Sequence, residues 1–249
     1  MSKLAESLSN LHKRSAPIGF AFSTSPIVER RMLVLALFEK YPGDEVAARA
    51  RSLSDFLVFR GEEDCRSAGV IGAPCGCWPD SGEAAVAAAT VCDFLILGPD
   101  APAEVVASET VGWMAIGTAG DEAGRVRAVA ELGADAILVP TGDIDLMKVA
   151  GCVELRRFRL LANRPVVVKV DGKLSEDALV VLFRAGVDAL VVPADADVEV
   201  LAMLRGALES TAKRMRSHRR DETVSLVGAV GPVHSEAEPD EEEYEEEDD

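Results

Sequence analysis

Short apolar runs alternate with amphipathic Ala/Glu/Arg-rich stretches eight times between Met32 and Val192. The runs are MLVLAL (32–37), DFLVF (55–59), APCGCW (73–78), DFLILG (93–98), VGWMAIG (111–117), DAILVP (135–140), PVVVKV (165–170) and DALVVP (188–193). Most are continuous rather than alternating, the pattern of parallel strands buried on both faces. Between them, segments such as GEAAVAAATVC, DEAGRVRAVAELGA, IDLMKVAGCVELRRFRLLA and LSEDALVVLFRAG carry helical spacing. Three junctions, TVCDFLIL, ELGADAIL and RAGVDALV, place a small or polar break and then Asp directly ahead of a strand. Eight such units in sequential order predict an α/β chain folded as a closed (β/α)8 barrel, in preference to an open doubly wound sheet. The third strand is the least regular, because Pro74 and Gly76 both oppose a central strand.

The two ends follow other patterns. Leu4, Leu8 and Leu11 recur at helical spacing in MSKLAESLSNLHKR, which predicts an amphipathic N-terminal helix over residues 1–15. That helix either caps the barrel or meets a neighbouring copy in a homo-dimer. APIGFAFSTSP follows it and is placed to plug the N-terminal mouth of the barrel, which occupies residues 16–215. Residues 216–249 are predicted to form a basic-then-acidic disordered tail, starting within KRMRSHRR (213–220) and ending in the block Glu236–Asp249. That block holds eleven of the 17 net negative charges, leaving six on the rest of the chain.

Composition narrows the class. No apolar run approaches the ~20 residues that span a bilayer, and the N-terminus lacks a signal-peptide core, so a cytoplasmic protein without a membrane partner is expected. Five cysteines, an odd number, are read as reduced thiols. An acidic chain whose basic run has no aromatic interleaving is not read as a nucleic-acid binder. The acidic tail is read as solubilising, with contact to a basic partner, or to the upstream basic run, as the alternative.

In such a barrel the chemistry sits at the C-terminal ends of the strands. The candidates there are Glu39, Arg60, Cys77, Asp80, Asp100, Thr118, Thr141, Asp143, Lys169, Asp171, Asp195 and Asp197. In the seventh strand, Val167, Lys169 and Asp171 share one face and Val166, Val168 and Val170 the other, so the lysine face is assigned to the barrel mouth. Lys169 can serve there as a Schiff-base nucleophile, a general base or an anion anchor, with Asp171, Asp195 or Glu39 as proton partner. A lysine that merely neutralises nearby carboxylates is the other reading. Arg60 and Thr141 are substrate-binding candidates; Arg60 can clamp a carboxylate, or pair with Glu62, Glu63 or Asp64 in its own loop.

What is missing narrows the chemistry further. The histidines, His12, His218 and His234, lie outside the barrel, which removes Ser-His-Asp hydrolysis and His-ligated metals from the mouth. A magnesium or manganese site of Glu39, Asp171 and Asp195 is chemically open, but carboxylates at loop starts are common and no metal is assigned. Cys75 and Cys77 share a face, yet a C-x-C with neither a second pair nor a histidine is a weak metal signal, so both are read as small core residues, with a reactive Cys77 as the alternative. Phosphate sites in barrels use glycine-rich turns after strands seven and eight. Here only Gly172 is present, and Asp195 and Asp197 would repel a dianion.

The stretch RPVVVKVDGKLSEDALVVLFRAGVDALVVPADA resembles flavin-dependent TIM barrels of the dihydroorotate dehydrogenase type, in which a "PVxVK" strand precedes a helix and an "AGVDAL" turn into the next strand. The resemblance covers about 30 residues and implies that Lys169 occupies the position of a flavin-contacting lysine; the glycine-rich phosphate loops of that family have no counterpart here. Short loops and a shallow mouth weigh against a large buried cofactor, and none is assigned. Three functions follow: a lyase or aldolase-type enzyme using Lys169 on a small carbonyl or carboxylate substrate, a catalytically silent barrel acting as a binding or scaffolding subunit, and a flavin- or phosphate-ligand barrel.

Overall fold

A computed structural model of the chain describes residues 2–12, 32–70, 72, 74–108, 110–146, 148–170, 174–195 and 197–227, with the side chains of 12, 70, 143 and 215–227 left undescribed. The described residues fall into two units, divided between Lys213 and Arg214. Eight parallel strands close on themselves in the order β1 to β8, and β1 pairs with β8 from Leu33↔Ala189 to Leu37↔Pro193. That pairing excludes the open doubly wound sheet. The strands are β1 (Leu33–Phe38), β2 (Phe56–Phe59), β3 (Cys75–Cys77), β4 (Phe94–Leu97), β5 (Gly112–Ile116), β6 (Ala136–Pro140), β7 (Val166–Lys169) and β8 (Val187–Pro193), each inside or next to its apolar run. The helices are α1 (Lys3–His12), α2 (Asp44–Leu53), α3 (Glu62–Val70), α4 (Gly82–Ala88), α5 (Ala103–Val106), α6 (Ala123–Glu131), α7 (Val149–Ala162), α8 (Glu176–Ala185) and α9 (Glu199–Val227).

Local sequence explains the joints. Ser81 and Ser175 accept hydrogen bonds from Ala84 and Ala178 at the starts of α4 and α8. At the end of α8, Gly186 takes the left-handed conformation, φ 92°, that lets the helix stop one residue before β8. β3 is short for a steric reason: a Cβ at Gly76 would overlap the ring of Phe94, which turns inward from β4 and meets Phe56 edge-on at 5.7 Å. The glycine that weakens the strand gives the neighbouring ring its space.

The barrel interior is filled by every second strand residue, among them Leu35, Phe56, Phe94, Met114, Leu138, Val167 and Val191. Leu4 and Leu8 of α1 belong to that same cluster, 0% and 1% exposed, and Leu11 packs against it. The leucine stripe therefore closes the base of its own barrel. APIGFAFSTSP, the predicted plug, lies outside the described residues. The helical backbone of α9 runs to Val227, where the sequence predicted a tail from 216; the acidic block 236–249 is outside the described residues.

Asp55, Asp93, Asp135 and Asp188, at the starts of β2, β4, β6 and β8, line this base and accept hydrogen bonds from backbone amides. Asp55 accepts from Val34 N–H (2.8 Å), Asp135 from Trp113 N–H (3.1 Å) and Asp188 from Val166 N–H (3.0 Å), in each case the preceding strand. Asp93 instead takes the first amides of α1, from Lys3 (2.9 Å) and Leu4 (3.1 Å), where a carboxylate also suits the helix dipole. Asp188 is the extra residue of a bulge in β8 and is paired by Arg159 at 3.0 Å; Asp55 is held by Arg205 at 3.2 Å. Among the described residues Asp135 has no ion pair at that range. Burial raises its pKa above 3.8, against the hydrogen bonds from Trp113 and Ser2.

Two outcomes follow. Leu8→Ala should lower stability by about 2–5 kcal/mol in chemical denaturation, with an unchanged oligomeric state by light scattering; a change of oligomeric state would place the stripe between copies. A carboxyl whose folded pKa is raised binds its proton more tightly folded than unfolded, so its ionisation costs stability as pH rises through the folded value. Asp135→Asn should therefore gain on the wild type between the ordinary aspartate value of 3.8 and neutrality, in denaturation curves taken across that range.

Candidate functional site

At the opposite end of the barrel the strand period brings three side chains together. Lys169 continues the inward face of Val167, as the valine pattern of β7 required. Its Nζ lies 6.0 Å from the ring centroid of Trp78, which follows β3, diametrically across the barrel. Trp78 itself packs on the interior cluster. Arg60, after β2, lays its guanidinium 4.4 Å from the same ring. Two cationic side chains thus share one indole, an arrangement favourable to both.

Carboxylates from the neighbouring strands flank Arg60. Glu39 Oε2 lies 3.5 Å from its Nε and Asp80 Oδ1 3.5 Å from Nη1. These partners come from the ends of β1 and β3, whereas the pairing alternative read from the sequence is Glu62, Glu63 or Asp64 in its own loop. The buried Nε completes no hydrogen bond among the described residues, since the Glu39 contact has the distance of an ion pair without hydrogen-bond geometry. Glu39 is tied to the barrel seam through its backbone, whose N–H donates to Asp195 at 2.7 Å. Nearby, Tyr41 donates its hydroxyl to Asp44 at 2.6 Å, and that hydrogen bond, with burial, pushes its pKa up to about 12.

The other predicted residues disperse. Thr118 bonds Asp121 locally at 2.8 Å, and Asp197 accepts from Glu199 N–H at 2.9 Å, where α9 begins. Thr141 opens a short 3-10 turn after β6 and Asp100 sits in the turn after β4; neither is brought to the Arg60–Trp78–Lys169 group by a described contact. Asp171 and the side chain of Asp143 lie outside the described residues, so the carboxylate set Glu39, Asp171 and Asp195 is described only in part. Cys77 turns away from the mouth, because Gly76 and Trp78 take the two inward positions around it; its thiol is fully buried in the wall. Trp78 is the residue the sequence reading missed. The inward parity of Gly76 was the available signal, one strand period before it.

Two cavities are described, both away from this group. A cleft of about 550 Å³ opens beside Lys3, Pro74, Cys75, Cys92, Asp93 and Thr110 at the base of the barrel. An apolar cavity of about 110 Å³ lies between the β7 and β8 wall and α9, lined by residues such as Val170, Val192, Met203 and Leu204.

No protein-family model matches the chain. No curated protein matches it by sequence. Solved structures share its fold. Thiamine phosphate pyrophosphorylase from Pyrococcus furiosus is 18% identical over 74% of this chain and 98% of its own, with a TM-score of 0.53. KGPDC from Streptococcus mutans is 12% identical over 74% and 98%, TM-score 0.57, and tryptophan synthase from M. tuberculosis 13% over 85% and 98%, TM-score 0.59. The closed ring of eight parallel strands and these likenesses define the class: the chain is a (β/α)8 TIM barrel, a fold its neighbours use for enzymes of several kinds. No described helix is long and apolar enough to cross a membrane.

The Arg60–Trp78 stack can be read by fluorescence, since the chain has two tryptophans, Trp78 and Trp113. With Trp113→Phe removing the second, Arg60→Ala should red-shift the remaining emission and increase its quenching by acrylamide. Unchanged emission and quenching would mean that the guanidinium does not cover the ring.

Proposed function

We propose that the barrel mouth binds a small carboxylate or carbonyl compound, with Lys169 as the nucleophile of a lyase or aldolase-type reaction. The observation that carries the reading is the convergence of Lys169 and Arg60 on the face of Trp78 from opposite and adjacent strands. Arg60 offers the substrate carboxylate a donor, Nε–H, that completes no hydrogen bond among the described residues. An unsatisfied buried donor is costly, and an incoming oxygen would remove that cost. Trp78 supplies an apolar floor that keeps water off the reacting carbon.

In the covalent step the neutral Lys169 amine attacks the carbonyl carbon. The carbonyl oxygen leaves as water with one amine proton and one proton returned by the rim carboxylate, leaving a protonated imine. The electron pair of the carbon–carbon bond one carbon further on flows into it to form an enamine. The other fragment departs as a carbonyl compound after its hydroxyl gives a proton to the carboxylate. Protonation of the enamine followed by hydrolysis of the imine releases the second product and restores the amine. A rim carboxylate, Glu39 or Asp195, accepts the ammonium proton beforehand; Asp171 is the third candidate for that role. Thr141 is proposed only as a later contact, for a substrate long enough to reach β6. The reading is that of a cytoplasmic enzyme with a small-molecule partner and no resident cofactor.

A second reading has its own support. Glu39 and Asp80 flank Arg60 on both sides, which is how a rim filled by its own ion pairs would look in a catalytically silent barrel that binds or scaffolds other molecules. Sodium borohydride separates the two. Reduction in the presence of pyruvate, other small keto acids and short aldehydes should leave a stable secondary amine on the Lys169 peptide, absent in Lys169→Met and reduced at least ~10-fold in Arg60→Met for the carboxylate-bearing compounds. If no adduct forms anywhere in the panel, the enzyme reading fails and the silent barrel takes its place.

A further inference from the structure

Four of the five cysteines meet in the barrel wall. Cys65 comes from α3, Cys75 and Cys77 from the outward face of β3, and Cys92 from the turn that enters β4. All four are buried, between 0% and 8% exposed. The sulfurs of Cys65, Cys77 and Cys92 all lie within 4.8 Å of one another. Cys75 stands beside this trio, outside the mutual 4.8 Å group, with its thiol donating to the carbonyl of Cys65 at 3.6 Å. Cys152, the fifth, is elsewhere, bonded to the carbonyl of Leu146.

We propose that Cys65, Cys75, Cys77 and Cys92 form a tetrathiolate site for one thiophilic divalent cation of the zinc class. The spacing selects a single ion. A tetrahedral zinc with Zn–S of about 2.3 Å places its sulfurs about 3.8 Å apart, so Cys65, Cys77 and Cys92, already within 4.8 Å of one another, close on it with displacements of about half an ångström, and Cys75 turns in from beside them as the fourth ligand. A polynuclear iron–sulfur cluster holds several irons and sulfides inside its cysteine shell and needs a wider one. All-sulfur donors favour zinc over magnesium or calcium, which prefer oxygen.

The thiols have no other evident reason to gather. In the reduced protein their protons go to the carbonyls of Gly76, Cys65 and Arg60 at 3.5, 3.6 and 3.5 Å, weak bonds that alanine or valine in the wall would not need. The ion would replace one proton at each sulfur and release it to solvent. A route exists: Cys75 and Cys92 line the 550 Å³ cleft at the base of the barrel, beside the ammonium of Lys3, which offsets part of the negative charge. The site also falls where the wall is thinnest, since β3 pairs with β4 through Gly76↔Phe94 and Cys77↔Leu95 only. A metal joining α3, β3 and the entry to β4 would brace that seam.

The test uses the full chain, purified under reducing conditions, stripped with a chelator and titrated with Zn²⁺ and with Co²⁺. One ion per chain is expected by native mass spectrometry, with the intense thiolate charge-transfer and visible bands of tetrahedral cobalt, and with a rise in Tm on adding Zn²⁺. Zinc should protect Cys65, Cys75, Cys77 and Cys92 from alkylation while Cys152 reacts as before, a comparison within the wild-type chain that depends on no variant folding. Cys77→Ser with Cys92→Ser should weaken zinc binding by more than the ~10- to 100-fold that loss of an outer-shell partner costs; Cys152→Ser should leave it unchanged. Cobalt that stays octahedral and pale, zinc that protects none of the four, or a disulfide among them in the non-reduced chain would each overturn the proposal.

Discussion

Hydrogen bonding between β1 and β8 removes both edges of the sheet and makes every other feature possible. A closed parallel sheet leaves no unpaired strand to aggregate, but it has two open ends where strand amides and carbonyls stop finding partners. The chain treats the two ends differently. At the base, Asp55, Asp135 and Asp188 take the first amides of the strands before them, and α1 fills the opening with Leu4 and Leu8. At the mouth, aromatic and charged groups occupy the corresponding level. The two ends thus differ in what their side chains hold: strand and helix amides at the base, and cations on an indole at the mouth.

Closure also dictates which residues can meet. In an eight-stranded ring β3 and β7 face each other, so Trp78 and Lys169, far apart in sequence, come to share the axis. Neighbouring strands supply the rest: β1 and β3 bring Glu39 and Asp80 to Arg60 on β2. The outward face of the same short strand carries Cys75 and Cys77 into the wall. β3 therefore gives Trp78 to the mouth and two thiols to the side, and Gly76 between them makes room for Phe94.

Much of this was legible in the chain because it depends on period and composition. Buried parallel strands read as unbroken apolar runs, and eight of them in order leave few topologies. The all-valine face of β7 located Lys169, and the Asp at three junctions marked where strands begin, although its place at the base and its role in capping the preceding strand depend on register. What was not legible depends on neighbours across the sheet. Arg60 has three acidic residues in its own loop, and only the strand order shows that Glu39 and Asp80 reach it instead. Trp78 was hidden by the irregular run containing Pro74 and Gly76. The cysteines at 65 and 92 stand too far from the C-x-C for any spacing motif, and the helix and turn that carry them converge only once β3 and β4 pair.

The contacts of α1 give the chain an order in time. Its first amides are bound by Asp93, 89 and 90 residues away, and the Ser2 hydroxyl by Asp135, 133 residues away. This helix is synthesised ahead of all eight strands, yet its receptor exists only after β4 to β6 have emerged and paired. During translation the leucines of the opening segment must stay unburied, or be sheltered by a chaperone, while most of the barrel is made. A helix made before every strand of the barrel is then among the last elements to dock, and the base of the barrel closes behind strands that had to assemble without it.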